Sequence, residues 1–122
     1  MKALIVDDSR AMRHLLRKML VDLGFDVSEA EDGLQALERV QEGEAPDIAL
    51  LDWNMPNMDG LSFLREIRRQ AICNTMRIMM VTSVTEMERV REALESGADE
   101  YVMKPFTKDA LIERLQGMGL LP

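Results

Sequence analysis

Several short apolar runs in this chain each stop at a residue that can do chemistry. Ala3-Leu4-Ile5-Val6 stops at Asp7-Asp8, Ile48-Ala49-Leu50-Leu51 at Asp52, Ile78-Met79-Met80-Val81 at Thr82-Ser83, and Tyr101-Val102-Met103 at Lys104. Each stop has an ordinary explanation alone. Asp8 or Ser9 can cap a helix, Ser83 with Glu86 or Thr85 with Glu88 can form a capping box, and Asp52 or Lys104 can be a solvated turn residue. Their joint occurrence asks for more. Two ionised carboxylates 4 Å apart repel by roughly 4 kcal/mol at an effective dielectric of about 20, so gathered acids call for a cation. No His or Cys lies at these run ends, which makes the cation hard and oxygen-loving. Mg²⁺, with Mn²⁺ as a substitute, uses a few carboxylates, keeps waters and fills its shell from a phosphate. A hydroxyl at Thr82 and a positive charge at Lys104 then suit the other phosphoryl oxygens. The expected chemistry is phosphoryl transfer to a carboxylate, with Asp52 as nucleophile because it ends a central strand between the other groups.

The intervening elements must bring these run ends together. Met12, Leu15, Leu16, Met19, Leu20 and Leu23 recur with helical spacing, and Gly24 stops them. Phe25–Ala30 alternates like a strand with one wet face, and Asp32-Gly33 opens a helix carrying Leu34, Leu37 and Val40. Asp59 caps a helix with Leu61, Leu64 and Ile67. Met87, Val90 and Leu94 mark a fourth helix, ended by Gly97, and Thr107 caps a fifth with Leu111, Leu115 and Met118. Strand and helix therefore alternate five times, the pattern of an α/β domain with a parallel sheet. The continuous runs suit strands buried on both faces, and the alternating second and short fifth suit edges. Right-handed crossovers then favour a five-stranded parallel sheet of order 2-1-3-4-5 with helices on both faces, a flavodoxin-like arrangement. In such a sheet ligands bind at the carboxyl ends of the strands, where every reactive run end lies. Residues 1–122 read as one domain, with no linker or low-complexity tail.

Composition limits the alternatives. A 122-residue chain that is 47 % hydrophobic and 30 % charged has enough sequence for a core. No run approaches the ~20 apolar residues of a membrane span, and no signal-peptide layout opens the chain. A net charge of −7 argues against a nucleic-acid surface. The single Cys73 excludes an internal disulfide and suits a reducing cytoplasm. The eleven methionines read mainly as core filling.

Asp7-Asp8, Asp52, Thr82 and Lys104-Pro105, with Tyr101 just before, resemble the receiver domain of two-component response regulators. The run Asp52-Trp53-Asn54-Met55-Pro56-Asn57-Met58-Asp59-Gly60 is especially similar to its single-domain chemotaxis members. Those members have the 2-1-3-4-5 order, so the two expectations are not independent. The resemblance implies that Asp7, Asp8, Asp52 and the backbone carbonyl of Asn54 hold Mg²⁺. It implies that Asp52 takes its phosphoryl group from a histidine on a sensor kinase or phosphotransfer protein, with Thr82 and Lys104 on the phosphoryl oxygens. Thr82 and Tyr101 would form the switch, remodelling the face of the fourth helix, fifth strand and fifth helix for an output protein. It also implies a cis peptide at Lys104-Pro105, a cytoplasmic monomer without nucleic-acid or membrane contact, and no enzyme activity beyond self-phosphorylation and slow self-dephosphorylation.

Several readings compete. A dehalogenase-type phosphatase needs a second acid two residues after the nucleophile, and Asn54 stands there. A flavin carrier needs a hydroxyl- and glycine-rich phosphate loop after the first strand, where Asp7-Asp8 would repel the phosphate. Val84, two residues after Thr82, cannot orient an attacking water, so the phosphorylated form is expected not to be unusually short-lived. Arg10, Arg13, His14, Arg17 and Lys18 read as the polar side of the first helix, a basic stripe that could meet an acidic kinase surface. Cys73, in a loop, reads as incidental. The output stays open between a complete regulator, a phosphorelay intermediate and the receiver of a longer regulator, with chemotaxis one of the pathways that fit.

Overall fold

The continuous apolar runs form the middle of a sheet. The computed structural model describes residues 1–43, 45–70 and 75–122. Its elements are β1 (Lys2–Val6), α1 (Arg10–Asp22), β2 (Asp26–Ala30), α2 (Gly33–Gln41), β3 (Ile48–Asp52), α3 (Gly60–Gln70), β4 (Arg77–Thr82), a 3-10 helix (Val84–Arg89), α4 (Val90–Glu95), β5 (Glu100–Met103) and α5 (Lys108–Gly117). The strands are all parallel, in the order β2-β1-β3-β4-β5. The continuous runs are the three central strands, and β2 and β5 are the edges.

Alternation along the central strands divides the core in two. Leu4, Val6, Ala49, Leu51, Ile78 and Met80 pack with Ala36 and Val40 of α2, Leu64 and Ile67 of α3, and Val90 and Ala93 of α4. Ala3, Ile5, Ile48, Leu50, Met79 and Val81 pack with Leu16 and Leu20 of α1 and with Leu111 and Leu115 of α5. The sheet is therefore covered on both faces, and its polar strand ends are left at the rim.

Side-chain caps start the helices where the sequence placed them. The Ser9 hydroxyl accepts from Met12 N at 3.2 Å, Asp32 from Gln35 N at 2.9 Å, Asp59 from Ser62 N at 2.8 Å and Thr107 from Ala110 N at 3.1 Å. Each satisfies a backbone donor of the first turn.

The structure corrects some expectations. Leu15, Leu34 and Leu94 belong to the apolar stripes but are 42–43 % exposed. Helix α1 buries Arg13, Leu16 and Leu20, α2 buries Gly33, Ala36 and Val40, and α4 buries Val90 and Ala93. The fourth helix is not continuous: its first part, Val84–Arg89, is 3-10 and buries no residue. Cys73 lies outside the described residues.

Candidate functional site

Parallel register brings the strand ends level. Val6 lies opposite Leu51 and Asp52 opposite Val81, so Asp7, Asp52 and Thr82 emerge at one rim. Carboxylate oxygens of Asp7, Asp8 and Asp52 all lie within 4.8 Å of one another. Asp7 and Asp52 are buried and Asp8 is exposed. Lys104, from the end of β5, reaches across to place Nζ 3.3 Å from Asp52 Oδ1. Its backbone N–H donates to the Thr82 carbonyl at 2.7 Å, and the Lys104–Pro105 peptide is cis.

Burial dominates the electrostatics. It pushes the Asp7 carboxyl up to about 6, against the Ser9 backbone N–H that favours the charged form; the Asp52 carboxylate adds to the rise and the Lys104 ammonium opposes it. Burial also raises the Asp52 carboxyl, opposed mainly by the Lys104 ammonium and the Trp53 backbone N–H. The residues fit a hard cation by a second observation. Asp7 Oδ1 accepts from Ser9 N at 2.8 Å, whereas Asp7 Oδ2 is buried with no hydrogen-bond partner among the described residues. An orphaned carboxylate oxygen beside two more carboxylates, in an all-oxygen donor set, matches what Mg²⁺ or Mn²⁺ binds.

The loop after β3 is fixed by close backbone approaches. Gly60 N donates to the Trp53 carbonyl at 2.9 Å, and a Cβ at Gly60 would stand 2.0 Å from the Asp52 carbonyl oxygen. Farther along, Gly33 N at the start of α2 donates to the Met58 carbonyl at 3.0 Å, where a Cβ would lie 2.6 Å from that oxygen. Asn57, at a left-handed φ of 66°, donates from its amide to Asp32 Oδ2 at 2.8 Å. The Gln35 backbone N–H and this Asn57 amide together hold the Asp32 carboxyl below its ordinary value.

Thr82 is fully buried, and its hydroxyl accepts from Trp53 Nε1 at 2.9 Å. Its contact with the Ser83 carbonyl is long, at 3.5 Å. Tyr101 lies opposite Met80 on β5, on the sheet face that Thr82 also points toward. Its half-buried ring lies 5.1 Å from the Arg114 guanidinium, which pairs with Glu100 at 3.4 Å. Asn54 directs its side-chain amide to Glu86 Oε2 at 2.8 Å, and Glu86 Oε1 also accepts from Ser83 N at 3.0 Å. That second bond is the Ser83–Glu86 pairing seen in the sequence.

Some connections escaped sequence reasoning. Arg13 is no part of a solvated stripe. Its Nη1 donates to the Asp7 carbonyl at 2.8 Å while Nε pairs with Glu29 at 3.1 Å, and Arg17 pairs with the same Glu29. Two residues of the basic stripe, Arg13 and Arg17, are thus tied to β2, while Arg10, His14 and Lys18 stay exposed. Trp53 was also underrated. A buried indole N–H needs an acceptor, and Thr82 one strand over was the available signal.

A family model for the response regulator receiver domain matches residues 3–116. Chemotaxis protein CheY-3 of Vibrio cholerae is 40 % identical over 116 residues, covering 94 % of this chain and 88 % of that protein. Chemotaxis protein CheY of Pseudomonas aeruginosa is 39 % identical over 117 residues, covering 95 % and 94 %. The crystal structure of the chemotaxis response regulator CheY4 of Vibrio cholerae superposes with a TM-score of 0.86 at 35 % identity, covering 95 % of this chain and 96 % of that one.

Proposed function

The chain belongs to the response regulator receiver family, and from that premise we propose that it is a phosphorylation-operated signalling switch with Asp52 as its acceptor. The observation that carries this reading is the rim itself: three carboxylates within 4.8 Å, one with an orphaned buried oxygen, and a lysine 3.3 Å from Asp52. An Asp52 oxygen attacks the phosphorus of a phosphohistidine on a sensor kinase or phosphotransfer protein. The new O–P bond forms as the N–P bond breaks, and the imidazole leaves with the electron pair and takes a proton. Lys104 and the Thr82 hydroxyl hold phosphoryl oxygens as charge moves onto them. Asp7, Asp8, Asp52 and the Asn54 carbonyl hold Mg²⁺ or Mn²⁺, which when bound supplies positive charge against the phosphoryl oxygens.

Thr82 drawn toward the phosphoryl group vacates space on the face shared with Tyr101. That frees Tyr101 to move inward and changes the α4–β5–α5 face read by an output protein. The whole of residues 1–122 acts as one receiver domain in the cytoplasm, as a monomer, with protein rather than nucleic acid or membrane as its partner. No helix among the described residues is long and apolar enough to cross a membrane. Lasting acyl-phosphate, rather than phosphatase turnover, is supported by Asn54. It carries no acid at the position a dehalogenase-type phosphatase needs, and its amide is tied to Glu86. The names of its relatives make chemotaxis the pathway of choice.

The test is acetyl phosphate with Mg²⁺, read by intact mass and by fluorescence of Trp53, the sole tryptophan. Wild type gains one phosphoryl group and its emission changes, while Asp52→Asn does neither. A phosphoryl adduct persisting in Asp52→Asn removes Asp52 from the centre.

A further inference from the structure

Trp53 heads the fully buried side chains by volume and follows Asp52 directly, yet phosphoryl transfer gives it no task. Extending the β3–β4 register by one residue sets it opposite Thr82, and its indole N–H donates to the Thr82 hydroxyl at 2.9 Å. Both side chains are almost wholly excluded from water, at 1 % and 0 % exposure. The Arg89 guanidinium lies 4.7 Å from the indole centroid, within cation–π reach. Arg89 is the last residue of the 3-10 helix, whose Glu86 is held by Asn54. The two residues after the acceptor therefore contact the switch hydroxyl and two residues, Glu86 and Arg89, of the 3-10 helix leading into α4.

We propose that Trp53 is a positioning residue: a latch that keeps the Thr82 hydroxyl in its resting place and ties that place, through Arg89, to the 3-10 helix. The proposal rests on the reading of Asp52 as phosphoryl acceptor and Thr82 as switch. Thr82 must turn its hydroxyl toward the phosphoryl oxygens, and doing so withdraws the acceptor of the indole N–H. A buried donor without a partner is costly, so the latch opposes activation until the phosphoryl group outbids it. The indole then has to shift to find an acceptor, and the Arg89 cation on its face moves with it. The 3-10 helix and Tyr101 are thus both coupled to the position of the Thr82 hydroxyl.

Trp53→Phe keeps a ring beneath Arg89 but removes both the donor and part of the buried indole, and the Thr82→Val background separates the two losses. The probe is beryllofluoride, a phosphoryl mimic, titrated calorimetrically with Mg²⁺, beside ¹⁹F NMR of fluorotyrosine at Tyr101, the only tyrosine. Trp53→Phe is expected to bind beryllofluoride at least about fivefold more tightly, the factor equivalent to about 1 kcal/mol. Its Tyr101 resonance in the unliganded protein should move toward the beryllofluoride-bound position. On a Thr82→Val background, which has no hydroxyl to latch, the same substitution should change neither reading. Arg89→Ala, at a half-buried position, tests the tie while leaving the indole and Thr82 in place, and should shift the Tyr101 resonance in the same direction. Unchanged or weaker binding in Trp53→Phe, with wild type binding normally, overturns the latch alone. A wild type that does not bind beryllofluoride with Mg²⁺ overturns the Asp52 reading and the latch with it. An unmoved resonance in Arg89→Ala overturns the tie to the 3-10 helix.

Discussion

Asp7 and Asp52 end strands covered on both faces and are 2 % and 8 % exposed, whereas the 3-10 helix Val84–Arg89 buries no residue at all. The first region is held by β-ladder hydrogen bonds, two closely packed cores and backbone approaches that leave no room for a Cβ. The second is held by a few polar ties, Asn54 and Ser83 to Glu86 and Arg89 to the Trp53 ring, and by one half-buried side chain, Met87, against the core. The rim keeps unfavourable charge in a fixed arrangement, with ionised pairs repelling by about 3 to 4 kcal/mol each at an effective dielectric of about 20. Only a rigid frame can hold such an arrangement ready for a cation. The 3-10 helix has little burial to lose, so contacts of modest energy can re-set it. A receiver needs both, a stiff place to take charge and a soft place to answer it.

The sharpest way to break this contrast is to strain the stiff half. Gly60→Ala puts a Cβ against the Asp52 carbonyl and should cost upwards of about 3 kcal/mol by urea unfolding, with loss of Mg²⁺ binding. A loss under about 1 kcal/mol would show that the loop gives way and that the rim is not stiff. Next in size is the rim's stored charge. Asp7 keeps its proton to about pH 6 when folded against 3.8 otherwise. Between these values the folded state binds more protons than the unfolded state. Its stability is therefore greatest below the lower value and falls as pH rises through the higher one. The loss approaches about 3 kcal/mol in metal-free protein. Urea unfolding at pH 4.5 and 7 in chelator should show about 2 kcal/mol of it, and Asp7→Asn should abolish that part of the slope. An identical slope in Asp7→Asn would place the effect elsewhere. Smallest is the soft half. Glu86→Ala removes half-exposed hydrogen bonds and should lower stability by about 1 kcal/mol or less, with Mg²⁺ affinity unchanged. A weakened Mg²⁺ affinity would mean that the two regions are one mechanical unit.

Burial on both faces was readable because it leaves continuous apolar runs, so β1, β3 and β4 and the residues at their ends could be placed from sequence. The site followed from that placement, since parallel strands put their last residues on one rim. The 3-10 helix could not be read. Met87, Val90 and Leu94 keep helical spacing, and nothing in that pattern reports that Leu94 stays 43 % exposed or that the first turn is tighter. Arg13 misled for the opposite reason: a basic residue among other basic residues looks solvated, and only Glu29 on the neighbouring strand reveals its partner. Trp53 fell between these cases. Its place in the turn after Asp52 does not report that the indole is buried, and choosing Thr82 as its acceptor required the strand register.

The chain between Asp52 and Gly60 is fastened at several points: Gly60 to Trp53, Met58 to Gly33 and Asn57 to Asp32. Each fastening is a ruler laid between β3, α2 and α3. Surface connections ordinarily accept extra residues at small entropic cost, because nothing measures them. This one is measured along its whole course, so its residue count is part of the site. An inserted residue would have nowhere to go without releasing one of those ties. In this molecule loop length is as much a functional group as the carboxylate it follows.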